Sequence, residues 1–337
     1  MLSGILSFIF TLPNWLLLKL SGAPQIVHGE RQLHPPMQFF ISLMNKRKAP
    51  EEINLENFRK IYDWSGQIYK KMPKSVSWTD HEINIGETQI KCRQYSKDKS
   101  TAKSALLYIH GGGFTIGSIE SHHHLTTYLC DQLDMQIFSV DYRLAPEHPF
   151  PTAIDDCEKA FEWLQKNSER FNLDPNQISI GGDSAGGNLS TVVSLRRKRA
   201  NNSLPKSQML IYPGVGADFD NGSMQRCAEN FILTKKVMEW FHDCYRPGHD
   251  DTENIPTEIA PILADDLDGL PPALVITAGF DPLCDEGEAY AKKLSTHGVK
   301  TKFLEFSEMP HSFVTMAFIP GVKERLNEIA AAFKTLN

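Results

Sequence analysis

The chain has 337 residues, of which 41% are hydrophobic and 23% charged, with a formal net charge of −6. That balance belongs to an ordinary globular protein with a sizeable core, and the length accommodates one large α/β domain plus an accessory part. The acidic excess and the lack of a dominant basic patch argue against nucleic acid as a partner.

In chain order, Ile5 to Leu20 is apolar, but Pro13, Asn14 and Lys19 interrupt it. It falls short of the ~20 clean residues that a membrane-spanning helix needs. It lacks the positive start of a signal peptide, and Pro24 follows the one small-residue cleavage candidate, Ser21-Gly22-Ala23. The stretch reads as a helix packed over a pocket or lying on a membrane surface. Residues 1–75 read as helical and irregular. Pro35-Pro36 breaks them, Met37 to Met44 resumes a helical pattern, and Phe58, Ile61, Tyr62, Ile68 and Tyr69 mark an amphipathic helix. Val76 to Ile85 and Thr88 to Arg93 alternate like a hairpin turning at Gly86-Glu87.

Strand–helix alternation then begins. Strands are expected at Ser104 to Ile109, Gln136 to Tyr142, Gln177 to Ile180 and Gln208 to Tyr212. Helices are expected at Ser121 to Leu133, Pro151 to Lys166 and about Ala185 to Arg199. The basic run Arg196 to Arg199 closes the last of these and reads as a solvated helix terminus. From Gly214 to Pro261 the alternation stops, with one helical insert, Thr234 to Tyr245, between polar loops. It resumes with strand Ala273 to Ala278, helix Glu286 to His297, strand Thr301 to Phe306 and helix Val322 to Phe333. Repeated βα units imply a mostly parallel sheet with helices on both faces. Function then gathers beyond the carboxyl ends of the strands.

The residues of chemical interest lie there. Gly182-Asp183-Ser184-Ala185-Gly186 has the form G-x-S-x-G between a strand and a helix. Such a turn strains its apex and crowds its neighbours, so glycines flank it, and it lifts the serine hydroxyl clear of the sheet. His110-Gly111-Gly112-Gly113-Phe114 follows an apolar strand. Consecutive glycines let backbone N–H groups approach a developing oxyanion. Neither phosphate-loop pattern is present. Asp281 follows the strand Ala273 to Ala278, with helix N-capping as its plainer role and Asp285 or Asp183 as rival acids. His311 follows the last strand. His122-His123-His124 cannot face one metal together and reads as the rim of a pocket. Six cysteines without a C-x-x-C pair read as free thiols of a reducing, cytoplasmic compartment. The order Ser184, Asp281, His311 is that of an α/β-hydrolase triad.

These motifs, with Asp141-Tyr142-Arg143-Leu144-Ala145-Pro146-Glu147 and Asp281-Pro282-Leu283, resemble the hormone-sensitive-lipase-like family of α/β-hydrolases, in particular its bacterial carboxylesterases. The resemblance runs from about Val76 to the C-terminus. It implies an eight-stranded catalytic core over 76–337 under a helical cap made by residues 1–75 and an insert at about 214–261. It implies oxyanion donors at Gly112, Gly113 and Ala185, with Gly111 shaping that loop. Two positions depart from the family pattern: Ser312 stands where glycine is usual, and Cys284 where arginine is frequent. The expected activity is hydrolysis of short- to medium-chain carboxylic esters through an acyl-serine, with no metal or organic cofactor. The partner is then a small-molecule ester, with peripheral membrane contact through the apolar N-terminus and an open oligomeric state. Rival readings are a membrane-surface lipase, an amidase or deacetylase, and a non-catalytic small-molecule receptor on the same fold.

Overall fold

The structure is a computed structural model describing residues 9–46, 53–66, 72–97, 101–216, 220–248 and 254–336. Two short strands, β1 (Val27–His28) and β2 (Arg31–Gln32), pair with each other. The remaining strands are β3 (Val76–Ile85), β4 (Thr88–Lys97), β5 (Ala105–Ile109), β6 (Gln136–Val140), β7 (Ile178–Asp183), β8 (Gln208–Ile211), β9 (Ala273–Phe280) and β10 (Thr301–Pro310). They form one eight-stranded sheet in the order β10-β9-β8-β7-β5-β6-β4-β3. Every pair from β10 to β6 is parallel, while β4 joins β6 and β3 joins β4 antiparallel.

Strands β5 to β9 are buried throughout, which explains why they carry few polar residues and no charge except Asp183 at the end of β7. Alternation splits β5 between two cores, one on each face of the sheet. In β5, Leu106 and Tyr108 join one core with Leu125, Leu129, Leu326 and Phe333. Leu107 and Ile109 join the other with Ile154, Phe161, Leu189 and Val192. Helices Ile119–Leu133 and Val322–Lys334 thus cover one face, and Thr152–Lys166 and Ala185–Arg199 the other.

Several local readings need correction. Residues 1–75 contain the β1–β2 hairpin as well as helices. Pro35 and Pro36 start the helix Pro35–Asn45 instead of breaking one, because proline's fixed φ and missing N–H suit a first turn. Ile68 and Tyr69 lie outside the described residues. The insert holds a second helix, Gly222–Cys227, capped by the Asn221 side chain on the N–H of Met224. The basic run is solvated only at its end, where Arg199 is exposed. Arg196 pairs with Asp155 and Glu258, Arg199 with Asp266, and buried Arg197 stacks over Phe161.

The helix Leu55–Gly66 is tied to the core by polar contacts. Arg59 donates to the carbonyls of Thr115 and Ala145, each at 2.9 Å, and forks onto Glu147 at 2.8 Å. Asp63 accepts from Ser118 Oγ at 2.6 Å. Within the Asp141–Glu147 stretch, Asp141 also accepts the N–H of Ile119 at 2.7 Å, and Arg143 forks onto buried Asp156. That motif holds the loops beside the site together.

Candidate active site

Strand β7 runs into the helix Ala185–Arg199 with only Ser184 between them. Ser184 takes φ 54° and ψ −120°, a strained geometry for a residue with a side chain. A Cβ on Gly182 would lie 2.0 Å from the carbonyl oxygen of Ile109, and one on Gly186 1.9 Å from it. Glycine is therefore required at both positions, as the crowded turn predicts.

Asp281 and His311 follow β9 and β10, two adjacent strands. Asp281 is fully buried; Oδ1 accepts the N–H of Leu283 at 2.9 Å, and Oδ2 lies 2.6 Å from His311 Nδ1. His311 Nε2 lies 3.0 Å from Ser184 Oγ. A carboxylate only accepts, so Nδ1 carries the proton and Nε2 presents its lone pair to the hydroxyl. The structure thus brings Ser184, Asp281 and His311 together from 127 residues of chain. Ser312 adopts φ 62°, the left-handed region that favours glycine. Tyr62, from the helix Leu55–Gly66, hydrogen-bonds to it, and burial raises that phenol's pKa.

The rival acids have other work. Asp285 accepts the N–H of Ser223 at 2.7 Å and pairs with Arg226, anchoring the helix Gly222–Cys227. Asp183, the residue before Ser184, is fully buried. Its Oδ1 accepts from Tyr108 Oη at 2.7 Å and from the N–H of Gly111 at 3.1 Å, with His122 Nε2 3.2 Å away. Burial alone would raise its pKa, but neighbouring His122 and these hydrogen bonds bring it below the ordinary value. Gly111 thereby fastens the glycine loop to the residue preceding Ser184.

The three consecutive histidines do not border the cavity in front of Ser184. His122 faces Asp183, His123 Nδ1 meets Tyr95 Oη at 2.9 Å on β4, and His124 is buried. Apolar packing of their helix against the sheet, invisible in the triplet, sends them inward. His110 stacks on Tyr142 at 4.3 Å, and burial with nearby His122 lowers its pKa to about 3. All six cysteines are free, and burial pushes the Cys284 thiol up to about 12. Among the described residues no group of three or more His, Cys, Asp or Glu could hold a metal ion.

A cavity of about 360 Å³ opens on Ser184, His311, Gly112, Gly113 and Ala185. Its far walls come from two places in the chain. Phe40, Met44, Phe58, Ile61 and Tyr62 belong to the N-terminal helices; Ile232, Leu233, Val237, Met238 and Phe241 belong to the insert. Phe58 meets Phe241 face to face, with centroids 6.1 Å apart. Glu286 also borders the cavity and accepts the N–H groups of Val215 and Gly216. Sequence reasoning passed over Arg59, Phe241 and Glu286, since nothing local distinguishes them from surface or core residues.

A family model described as alpha/beta hydrolase fold matches residues 106–315. The carboxylic ester hydrolase LipN of Mycobacterium tuberculosis is 38% identical over 265 residues, covering 77% of this chain and 70% of the relative. The ethyl acetate hydrolase of Pseudomonas putida is 35% identical, covering 66% of this chain and 70% of the relative. Among solved structures, an ester hydrolase from the metagenome of Lake Arreo superposes with a TM-score of 0.84 at 35% identity, covering 90% of this chain and 98% of that one. With the sheet order, the serine turn and these likenesses together, the chain belongs to the hormone-sensitive-lipase-like family of α/β-hydrolases, a family of carboxylic ester hydrolases.

Proposed function

We propose that this carboxylic ester hydrolase cleaves short- to medium-chain esters with Ser184, His311 and Asp281 as its catalytic triad. The observation that carries the reading is the continuous hydrogen-bond path from Asp281 through His311 to the strained serine. His311 Nε2 takes the hydroxyl proton as Ser184 Oγ attacks the ester carbonyl carbon. Asp281 keeps the ring in the required tautomer and stabilises the imidazolium. The N–H groups of Gly112, Gly113 and Ala185 receive the carbonyl oxygen as it becomes an oxyanion. Return of the proton to the alkoxide expels the alcohol, and water releases the acid from acyl-Ser184 by the same steps. No step calls on a metal or organic cofactor, so EDTA should leave the rate unchanged.

The walls built by the helices Pro35–Asn45 and Leu55–Gly66 and by the insert act as the cap. A bounded cavity limits the acyl chain to roughly C2 to C8. A panel of p-nitrophenyl esters from acetate to palmitate tests this, and faster turnover of palmitate than of butyrate would sink it.

Peripheral membrane contact rests on a separate observation. The helix Asn14–Ser21 exposes Trp15 (67%) and Leu20 (43%) beside Lys19 and packs on the helix Pro35–Asn45, whose Met44 borders the cavity. Among the described residues no helix is long and apolar enough to cross a membrane, so contact would be with its surface. Loss of sedimentation with anionic vesicles in Trp15→Ser is the expected sign, and equal behaviour of both proteins would count against it.

A further inference from the structure

Gly112, Gly113 and Phe114 take successive positive φ angles of 118°, 56° and 61°. The two glycines do so freely. Phenylalanine there is strained and persists only if its surroundings hold it. Two contacts do so. The Phe114 carbonyl accepts the N–H of Ala145 at 2.9 Å. Its ring lies flat on Tyr245, with centroids 3.9 Å apart and planes 6° from parallel.

Tyr245 is itself fixed. It ends the insert helix Lys235–Tyr245 and is 3% exposed. Its carbonyl accepts the N–H of Phe150 at 2.9 Å, and the Phe150 ring meets it edge-on at 5.8 Å. The Tyr245 hydroxyl is buried without a hydrogen-bond partner among the described residues, so the ring is what the residue contributes. One turn earlier, Phe241 presses on the same loop: a Cβ on Gly113 would sit 2.2 Å from its ring. The turn is closed by the N–H groups of Thr115 and Ile116 on the Gly112 carbonyl at 3.0 and 2.9 Å. A change in the Phe114 backbone therefore shifts the peptide plane that carries the Gly112 carbonyl and the Gly113 N–H, and with it the loop that bears the Gly112 N–H.

We infer that Tyr245 is a positioning residue of the esterase reaction: by stacking on Phe114 it holds the strained loop in the conformation that aims the Gly112 and Gly113 N–H groups at the oxyanion. The insert then does more than enclose the substrate, since the last residue of its helix Lys235–Tyr245 sets the geometry of transition-state binding. This rests on the serine-esterase reading above.

The test uses the full-length protein, p-nitrophenyl butyrate, and an alkyl trifluoromethyl ketone. Ser184 Oγ adds to the ketone carbon, the serine proton passes to His311, and the ketone oxygen becomes an oxyanion at the loop. Tyr245→Leu should lower kcat about 10- to 100-fold, keep KM within about threefold, and weaken the ketone by the same factor as kcat. Tyr245→Phe restores the ring and with it most of kcat. Phe114→Leu removes the stack from its other side, so the double variant should lose no more than the worse single one. If Tyr245→Leu does not fold, Phe114→Leu and Tyr245→Phe carry the same comparison. The inference is overturned by kcat within threefold of wild type in Tyr245→Leu, by lost kcat with full ketone affinity, or by double-variant losses that multiply. A wild type inactive on every ester would overturn the esterase reading and this inference together. An active wild type with unaltered Tyr245→Leu kinetics would overturn this inference alone.

Discussion

Two aspartates beside the serine machinery should fail in different ways. Asp281→Asn should cost about 10⁴-fold in kcat/KM, because an amide favours the wrong histidine tautomer. Asp285→Asn should leave the reaction nearly intact, since Asp285 holds Ser223 and Arg226. Comparable losses in the two would reassign the acid. Ser184→Ala should remove hydrolysis, by about 10⁴-fold or more, together with organophosphate labelling. Asp183→Asn belongs to stability. Its carboxyl titrates below the ordinary range in the folded chain, so the charged form stabilises the fold. Above pH ~4 both folded and unfolded carboxyls are ionised, and the variant should trail wild type by about 1–3 kcal/mol, constant from pH 7 to 5. As pH falls further the unfolded chain takes up its proton first, and the gap should close. Urea midpoints across pH 3 to 7 measure this; a gap that widens in acid would refute the linkage. Ser184, Asp281 and His311 were legible because each follows a strand end in a motif. The partners of Asp183 were not, since Tyr108, Gly111 and His122 meet it only after folding.

At the scale of elements, β5 announced itself as a continuous apolar run because both its faces are buried, and β9 nearly so, with Thr277 its one polar residue. The hairpin Val27–His28 with Arg31–Gln32 did not: two-residue strands carry no period to read. The helix Gly222–Cys227 is equally short, and its Asn221 cap resembles any loop asparagine. The docking of Leu55–Gly66 was also hidden, because Arg59 finds its partners 56, 86 and 88 residues away. Arg59→Ala removes those bonds and should free the wall that carries Phe58 and Ile61. We expect KM to rise several-fold with kcat less affected, and a stability loss of about 1–3 kcal/mol. Faster amide exchange confined to residues 55–66 would show which element came loose. Unchanged KM with unchanged exchange would mean that the remaining contacts, Asp63 with Ser118 and Phe58 with Phe241, hold the helix without Arg59.

For the molecule as a whole, the fold class and the ends of the sheet that matter were readable, but the cavity was not. Its lining draws on residues from Phe40 to Phe318, and no window of sequence contains it. That dispersion also orders events in time. Ser184 is synthesised 127 residues before His311, which at about 5–20 residues per second leaves the serine about 6 to 25 seconds without the histidine on the ribosome. The helices that wall the cavity from the amino-terminal side leave earlier still. A growing chain can therefore build its serine turn and close β5 against β7 before His311 has been added. The contact between Ser184 and His311 forms only when β10 joins the sheet's edge and delivers the histidine.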